Sequence, residues 1–310
     1  MDEKYYLNIG RASEIADEKE RRIYRLLEIL PGFLSWLTLF LLILLSWLLP
    51  FWIAIFIIAF DVYWFFKTVF LSVHMRSAFK KMKINLKRNW PEELDKVKWQ
   101  EIYHLVILPM YQEPFEVVRA TFLSLTKINY PMDKLIVVLA VEERGGEAAF
   151  DIAQKMEQEF GNKFFKFLIT AHPADISGEI AGKGSNDARA IKEAKDKIID
   201  ALQIPYERIV VSCFDVDTMV HPDFFNCLTY SYLTAKKPLR SSFQPIPIFI
   251  NNIWAAPAFA RVFAFSTTFW QMIQQSRPER LITFSSQSIG FRPLNDIGFW
   301  QPNVVSEDSR

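Results

Sequence analysis

Phe33 to Val73 is almost unbroken apolar sequence, interrupted by Pro50, Asp61 and Lys67, and it limits the possible folds more than any other segment. A helix crossing the hydrocarbon core needs about 20 residues, so this run is too long for one span and fits two. The reversal is expected near Trp47-Leu48-Leu49-Pro50-Phe51-Trp52, where the tryptophans suit a membrane–water interface. Arg21, Arg22 and Arg25 precede the run, and Arg76, Lys80, Lys81, Lys83, Lys87 and Arg88 follow it. Basic flanks on both sides predict an integral membrane hairpin with both ends, and hence the rest of the chain, cytoplasmic. The run starts too late, is too long, and lacks the small-residue site of a cleaved signal peptide.

The flanking segments define the expected organisation. Residues 1–32 read as a cytoplasmic amphipathic helix, with Ile15, Ile23, Leu26, Leu27 and Leu30 as its stripe before Pro31-Gly32. Residues 33–75 form the hairpin, 76–100 a basic interfacial linker, and 101–310 a separate domain. The formal charge of +1 gives no global case for nucleic acid binding. Cys213 and Cys227 form no C-x-x-C pair, and His74, His104, His172 and His221 lack metal-ligand spacing.

From Tyr103 onward, strand and helix patterns alternate. Strands are expected at 103–108, 135–141, 164–170 and 209–214, and helices at 114–127, 147–160, 187–202 and 222–235. That order implies an α/β fold, a mainly parallel sheet with helices on both faces. Such sheets bind ligands beyond the carboxyl ends of their strands. Residues 246–273 are apolar and aromatic. Pro245, Pro247, Asn251-Asn252 and Pro257 break them up, which favours core or membrane-surface packing over a third span.

Polar clusters follow each strand. Pro109-Met110-Tyr111-Gln112-Glu113-Pro114 follows the first, and Glu142-Glu143-Arg144-Gly145-Gly146 the second. Gly182-Lys183-Gly184-Ser185-Asn186 lies before a helix, where close backbone approach, a positive charge and a helix N-terminus suit a diphosphate. A flexible loop with Asn186 or Asp187 as an ordinary N-cap is the alternative. Asp215-Val216-Asp217 follows the fourth strand. Alternation would aim both carboxylates the same way, and Mg²⁺ or Mn²⁺ prefers such oxygen ligands shared with phosphates. A simple turn fits the same three residues. Glu307-Asp308 near the end reads as a solvated tail, although a carboxylate held beside a hydroxyl is a competent general base.

Taken in order, these motifs resemble the processive, membrane-anchored family 2 glycosyltransferases, the cellulose- and hyaluronan-synthase-like group, over roughly residues 101–310. The resemblance implies a nucleotide-sugar-binding fold of the GT-A type and an inverting transfer from a nucleotide-sugar donor, a UDP-sugar first, to a glycan or lipid acceptor. It places Pro109, Tyr111, Glu113, Glu142 and Glu143 on the nucleoside, and Lys183 and Asn186 on the diphosphate. Asp215 and Asp217 would hold a divalent metal, and Asp308 would act as catalytic base. Phe284 to Trp300 resembles the acceptor-side segment. Glu142-Glu143 departs from the family's Asp-containing pair. The downstream Q-x-x-R-W segment has no counterpart, so a truncation after the acid–Asp motif is expected. A polyprenyl-phosphate sugar synthase and a non-catalytic membrane scaffold are the competing readings.

Overall fold

Successive residues of the strand Tyr103–Met110 point to opposite faces of a sheet, and each face carries its own core. In the computed structural model, which describes residues 9–251, 253–254, 256–277 and 281–304, the chain forms two compact units, residues 1–82 and 83–310. Two long helices dominate the first: α1 (Glu18–Leu48) and α2 (Pro50–Lys87). Asp17 starts α1 by accepting a hydrogen bond from Glu20 N at 2.8 Å, with Glu18 and Glu20 favouring the positive end of the helix dipole.

At 1.5 Å per residue the two helices extend about 47 and 57 Å, against about 30 Å of bilayer hydrocarbon. Both are long and apolar enough to cross a membrane, with mean hydropathy 2.2 and 1.9 in their most apolar windows. Helix α1 continues through Pro31 instead of ending there. A proline removes one donor but its φ is helical, and the leucine-rich sequence on either side sustains the turn. Leu49 alone separates the two helices, just before Pro50. Helix α2 runs on to Lys87, into the basic stretch 76–100.

The second unit contains, in order, α3 (Trp90–Leu94), β1 (Tyr103–Met110), α4 (Phe115–Leu125), β2 (Leu135–Glu142), α5 (Glu147–Phe160), β3 (Lys166–His172) and α6 (Lys183–Ala194). There follow β4 (Ile209–Cys213), α7 (Phe224–Thr234), β5 (Ser242–Phe243), α8 (Ala258–Gln275), β6 (Ser288–Gly290) and α9 (Phe291–Asp296). The sheet order is β3-β2-β1-β4-β6-β5. Strands β1 to β4 are parallel, and β6 runs antiparallel to both β4 and β5. This is the expected α/β architecture, extended by two short strands.

Val106 and Leu108 pack with Val118 and Phe122 of α4, Ala153 and Phe160 of α5, and Phe225 of α7. Leu105 and Ile107 face the other way, onto Ala190 and Ile191 of α6 and Phe291 of α9. Burying one such side chain contributes roughly 1.5–3 kcal/mol, so a strand apolar on both faces is held from both sides. From β1 the chain first builds outward through β2 to β3, then returns to place β4 on the other side of β1. The order reverses there, leaving a crevice beyond the carboxyl ends of β1 and β4.

Helix α8 buries Thr268, Gln271, Met272 and Gln274, while Phe259, Val262, Phe263 and Trp270 remain exposed. An apolar stripe left in the open is uncommon on a protein surface bathed only by water.

Candidate functional site

A cleft of about 490 Å³ opens at that reversal. Pro109, Tyr111 and Glu113 come to it from the end of β1, Glu142 and Arg144 from the end of β2. Lys183 and Asn186 come from the first turn of α6, and Asp215 and Asp217 from the segment after β4. The structure therefore brings together eight of the residues singled out in the sequence. Glu143 is not among those lining the cleft; its Oε2 accepts from Ala174 N at 2.9 Å instead. Asp308 and Glu307 lie outside the described residues.

Asp215 and Asp217 converge through a turn, not through strand alternation. Strand β4 ends at Cys213, and Thr218 N donates to Asp215 O at 2.9 Å. The turn is fixed from two sides: Thr121 Oγ1 donates to Val216 O at 2.7 Å, and Asn251 Nδ2 to Asp217 O at 2.9 Å. The turn is thus present, and both carboxylates line the cleft. Asp215 Oδ1 lies 2.9 Å from Lys183 Nζ, while its Oδ2 accepts from Ser285 Oγ. Asp217 is exposed at the cleft mouth, yet partial desolvation beside the cleft walls, and then the negative charge of Asp215, hold its carboxyl above its ordinary pKa. A cation placed there would relieve both causes.

Helix α6 begins at Lys183, four residues earlier than the expected Asp187. Gly182 is its N-cap, and Ser185 Oγ donates back to Gly182 O at 2.9 Å. Lys183 thereby stands at the positive end of the helix, in its first position. Asn186 is buried and donates Nδ2 to Ala140 O at 2.7 Å, tying the first turn of α6 to β2. Its Oδ1 is buried without a hydrogen-bond partner.

On the opposite wall, Glu142 is buried, and Arg144 Nη2 donates to its Oε2 at 2.9 Å. The Arg144 guanidinium lies 5.5 Å from the centre of the exposed Tyr111 ring. Glu142 lines the cleft, and its Oε1 is buried with no hydrogen-bond partner. Glu113 accepts from Tyr111 N at 2.7 Å and so shapes its own loop. Met110, Arg144 and Ser285 lie inside segments singled out in the sequence but received no individual role there; Arg144 directly follows an acidic pair, which was the available signal, whereas nothing in the sequence shows that Ser285 reaches Asp215.

Among the described residues, no group of three or more His, Cys, Asp or Glu could hold a metal ion. Two carboxylates with hard oxygens are nonetheless an adequate protein share for Mg²⁺ or Mn²⁺, which commonly take remaining ligands from water and phosphates.

The chain matches no protein-family model and no curated protein sequence. Among solved structures it is similar to the mannosyltransferase PcManGT from Pyrobaculum calidifontis, in complex with GDP-Man and Mn²⁺, at 17% identity and TM-score 0.41. That match covers 78% of this chain and 60% of the other. It is also similar to S. aureus TarS 1-349 in complex with UDP-GlcNAc, at 13% identity and TM-score 0.38, over 67% of this chain and 51% of that one. The chain thus spans about three-fifths of the first structure and half of the second.

Proposed function

We propose that the chain is a membrane-anchored, inverting glycosyltransferase of the GT-A type that takes a nucleotide-sugar donor, a UDP-sugar first, from the cytoplasmic side. The observation that carries this reading is one cleft in which an acid pair, Asp215 and Asp217, meets a lysine at a helix N-terminus, Lys183. A nucleoside diphosphate complexed with a divalent cation presents the matching charges: a metal for the acids and phosphate oxygens for the lysine. Tyr111 and Glu142 supply an aromatic face and an unpartnered acceptor for the nucleoside.

In this reading Asp215 and Asp217 hold Mg²⁺ or Mn²⁺, which when bound supplies positive charge to the leaving diphosphate. Lys183 adds to that charge from the end of α6. The acceptor hydroxyl oxygen bonds to the anomeric carbon as the bond to the diphosphate oxygen breaks. Its proton passes to a carboxylate, assigned to Asp308 by the family resemblance. In-line attack inverts the anomeric carbon.

A lipid-phosphate acceptor is the second reading. It is favoured by the exposed Ile248 and Ile250, which lead to Asn251 and its bond to Asp217 O, and by the open face of α8. Transfer that depends on added polyprenyl phosphate, and not on a glycan, would select it.

The deciding experiment titrates UDP and GDP into the purified full chain with and without Mn²⁺. Metal-dependent binding of UDP that Asp217→Asn removes is expected. A folded protein that takes up neither nucleotide would sink the proposal. Asp308→Asn should bind donor normally and transfer no sugar; unimpaired transfer would remove Asp308 as base.

A further inference from the structure

Behind the cleft, a buried side chain joins two of its walls. His172 ends β3 beside Glu142, its register partner at the end of β2, so both side chains leave the same face of the sheet. The ring is enclosed, with Nε2 hydrogen-bonded to Glu179 Oε2 at 2.9 Å, while Nδ1 lies 3.4 Å from Glu142 Oε2 in a contact that is not a hydrogen bond. Since Arg144 also engages that Oε2, Glu142 keeps one uncommitted oxygen, the buried Oε1. The ring thus abuts the oxygen that Arg144 engages and not Oε1.

Glu179 belongs to the loop 173–182 between β3 and α6. Two more bonds hold this loop: Ala174 N to Glu143 Oε2 at 2.9 Å, and Ile180 N to Pro302 O at 2.8 Å. The loop ends at Gly182, directly before Lys183 and its 2.9 Å contact with Asp215. One imidazole thus connects the acid at the nucleoside end of the cleft to the loop that delivers the lysine at the other.

We propose that His172 is a positioning residue that presents Glu142 Oε1 to the cleft and, through Glu179, couples a nucleoside seated there to the loop 173–182. This rests on the nucleotide-sugar reading of the cleft. A donor group bound to Oε1 restrains Glu142, which fixes Oε2 against the ring; the ring then holds Glu179 and the loop. The partly buried hydrogen bond from His172 to Glu179 is worth about a tenfold change in the equilibrium it controls.

Amide hydrogen exchange on the full-length protein, with and without UDP and Mn²⁺, tests this in wild type, His172→Ala, His172→Gln and Glu179→Ala. Without nucleotide, amides of 174–182 should exchange about tenfold faster in His172→Ala and Glu179→Ala, with β1 and β2 amides unchanged as the folding control. UDP should slow loop exchange in wild type but not in these two variants at saturation. UDP affinity should fall about tenfold even in Glu179→Ala, whose altered side chain lies outside the cleft. His172→Gln, which can still donate to Glu179, should recover part of the loop protection. Wild-type exchange of the loop in both nucleotide-free alanine variants would overturn the proposal, as would full protection by UDP in them. Absence of UDP binding in wild type would instead refute the nucleotide-sugar reading, and the nucleotide-free exchange rates would still decide whether His172 holds the loop.

Discussion

His104 is the second residue of β1 and has no solvent access, its ring packed against Tyr130 and Phe225 and its Nε2 2.7 Å from Thr229 Oγ1. Burial pushes its pKa down from 6.5 to about 3, so the folded ring stays neutral where the unfolded one takes a proton. Between those two values the unfolded state binds more protons, and stability falls as pH falls, by at most about 1.4 kcal/mol per pH unit. Thermal denaturation from pH 7 to pH 4 should therefore show a shallower acid limb in His104→Gln than in wild type; parallel limbs would mean that other groups govern acid unfolding. Asp217 has the opposite sign. Its carboxyl is held above the ordinary value, so its folded form binds excess protons at mildly acid pH, and stability drops as pH rises through the raised pKa. Without a cation, Asp217→Asn should consequently raise the melting temperature at pH 7, with the gain shrinking toward pH 4. Mn²⁺ should stabilise wild type and leave the variant unchanged. A variant less stable than wild type at pH 7 would show that the acid is needed for the turn. Neither effect could be read from the sequence: a lone histidine in an apolar strand and a D-x-D both have several common explanations, and the complete burial of His104 and the closeness of Asp215 to Asp217 are known only from the fold.

At the scale of elements, the turn after β2 is the tightest joint in the site. A Cβ on Gly145 would fall inside contact distance of Tyr111 O and 2.9 Å from Ala149 Cβ, so two walls of the cleft approach closely only because this residue has no side chain. Gly146 follows with φ 73°, and it begins α5. Gly145→Ala should cost about 1–3 kcal/mol of stability, as overpacking does, and weaken UDP binding by moving Tyr111 away from Arg144. Wild-type melting and wild-type UDP affinity together would show that the turn relaxes without consequence. The parallel strands were legible because they are short apolar runs bounded by turn residues, and Glu147–Phe160 was legible to the residue because its apolar spacing is helical and a glycine ends it. The start of α6 was not. Two glycines flanking Lys183 read as loop by propensity, yet the clamp from Asn186 to Ala140 O draws that turn into the helix. Strands β5 and β6 were also missed, since Ser242–Phe243 and Ser288–Gly290 are too short to carry a period and depend on pairing with β4 and each other. The gathering of the polar clusters at one cleft was more legible than these edges, because a parallel sheet sends each of them to the same end whatever the exact helix boundaries.

For the whole molecule, the order of apolar and basic segments predicts where the cleft works. Helices α1 and α2 expose apolar side chains along most of their length, among them Trp36, Trp47, Phe51 and Trp52, at an energetic cost that lipid contact would remove. Arg76, Lys80, Lys83 and Lys87 recur at spacings of three or four along the end of α2, forming one basic stripe. If both helices span a membrane and the basic residues at the start of α1 and the end of α2 are retained on one side of it, Leu49 is expected on the opposite side. Cysteine substitutions test this in intact cells treated with a membrane-impermeant thiol reagent. Leu49→Cys should be labelled directly, whereas Lys87→Cys should be labelled only after permeabilisation. The native Cys213, which is buried, and the partly buried Cys227 should give no signal in intact cells. Labelling of Lys87→Cys from outside would invert the topology and put the cleft beyond the reach of cytoplasmic nucleotide sugars. Release of the unmodified chain from membranes by alkaline carbonate would remove the spanning helices, and the exposed faces of α1 and α2 would then need a protein partner.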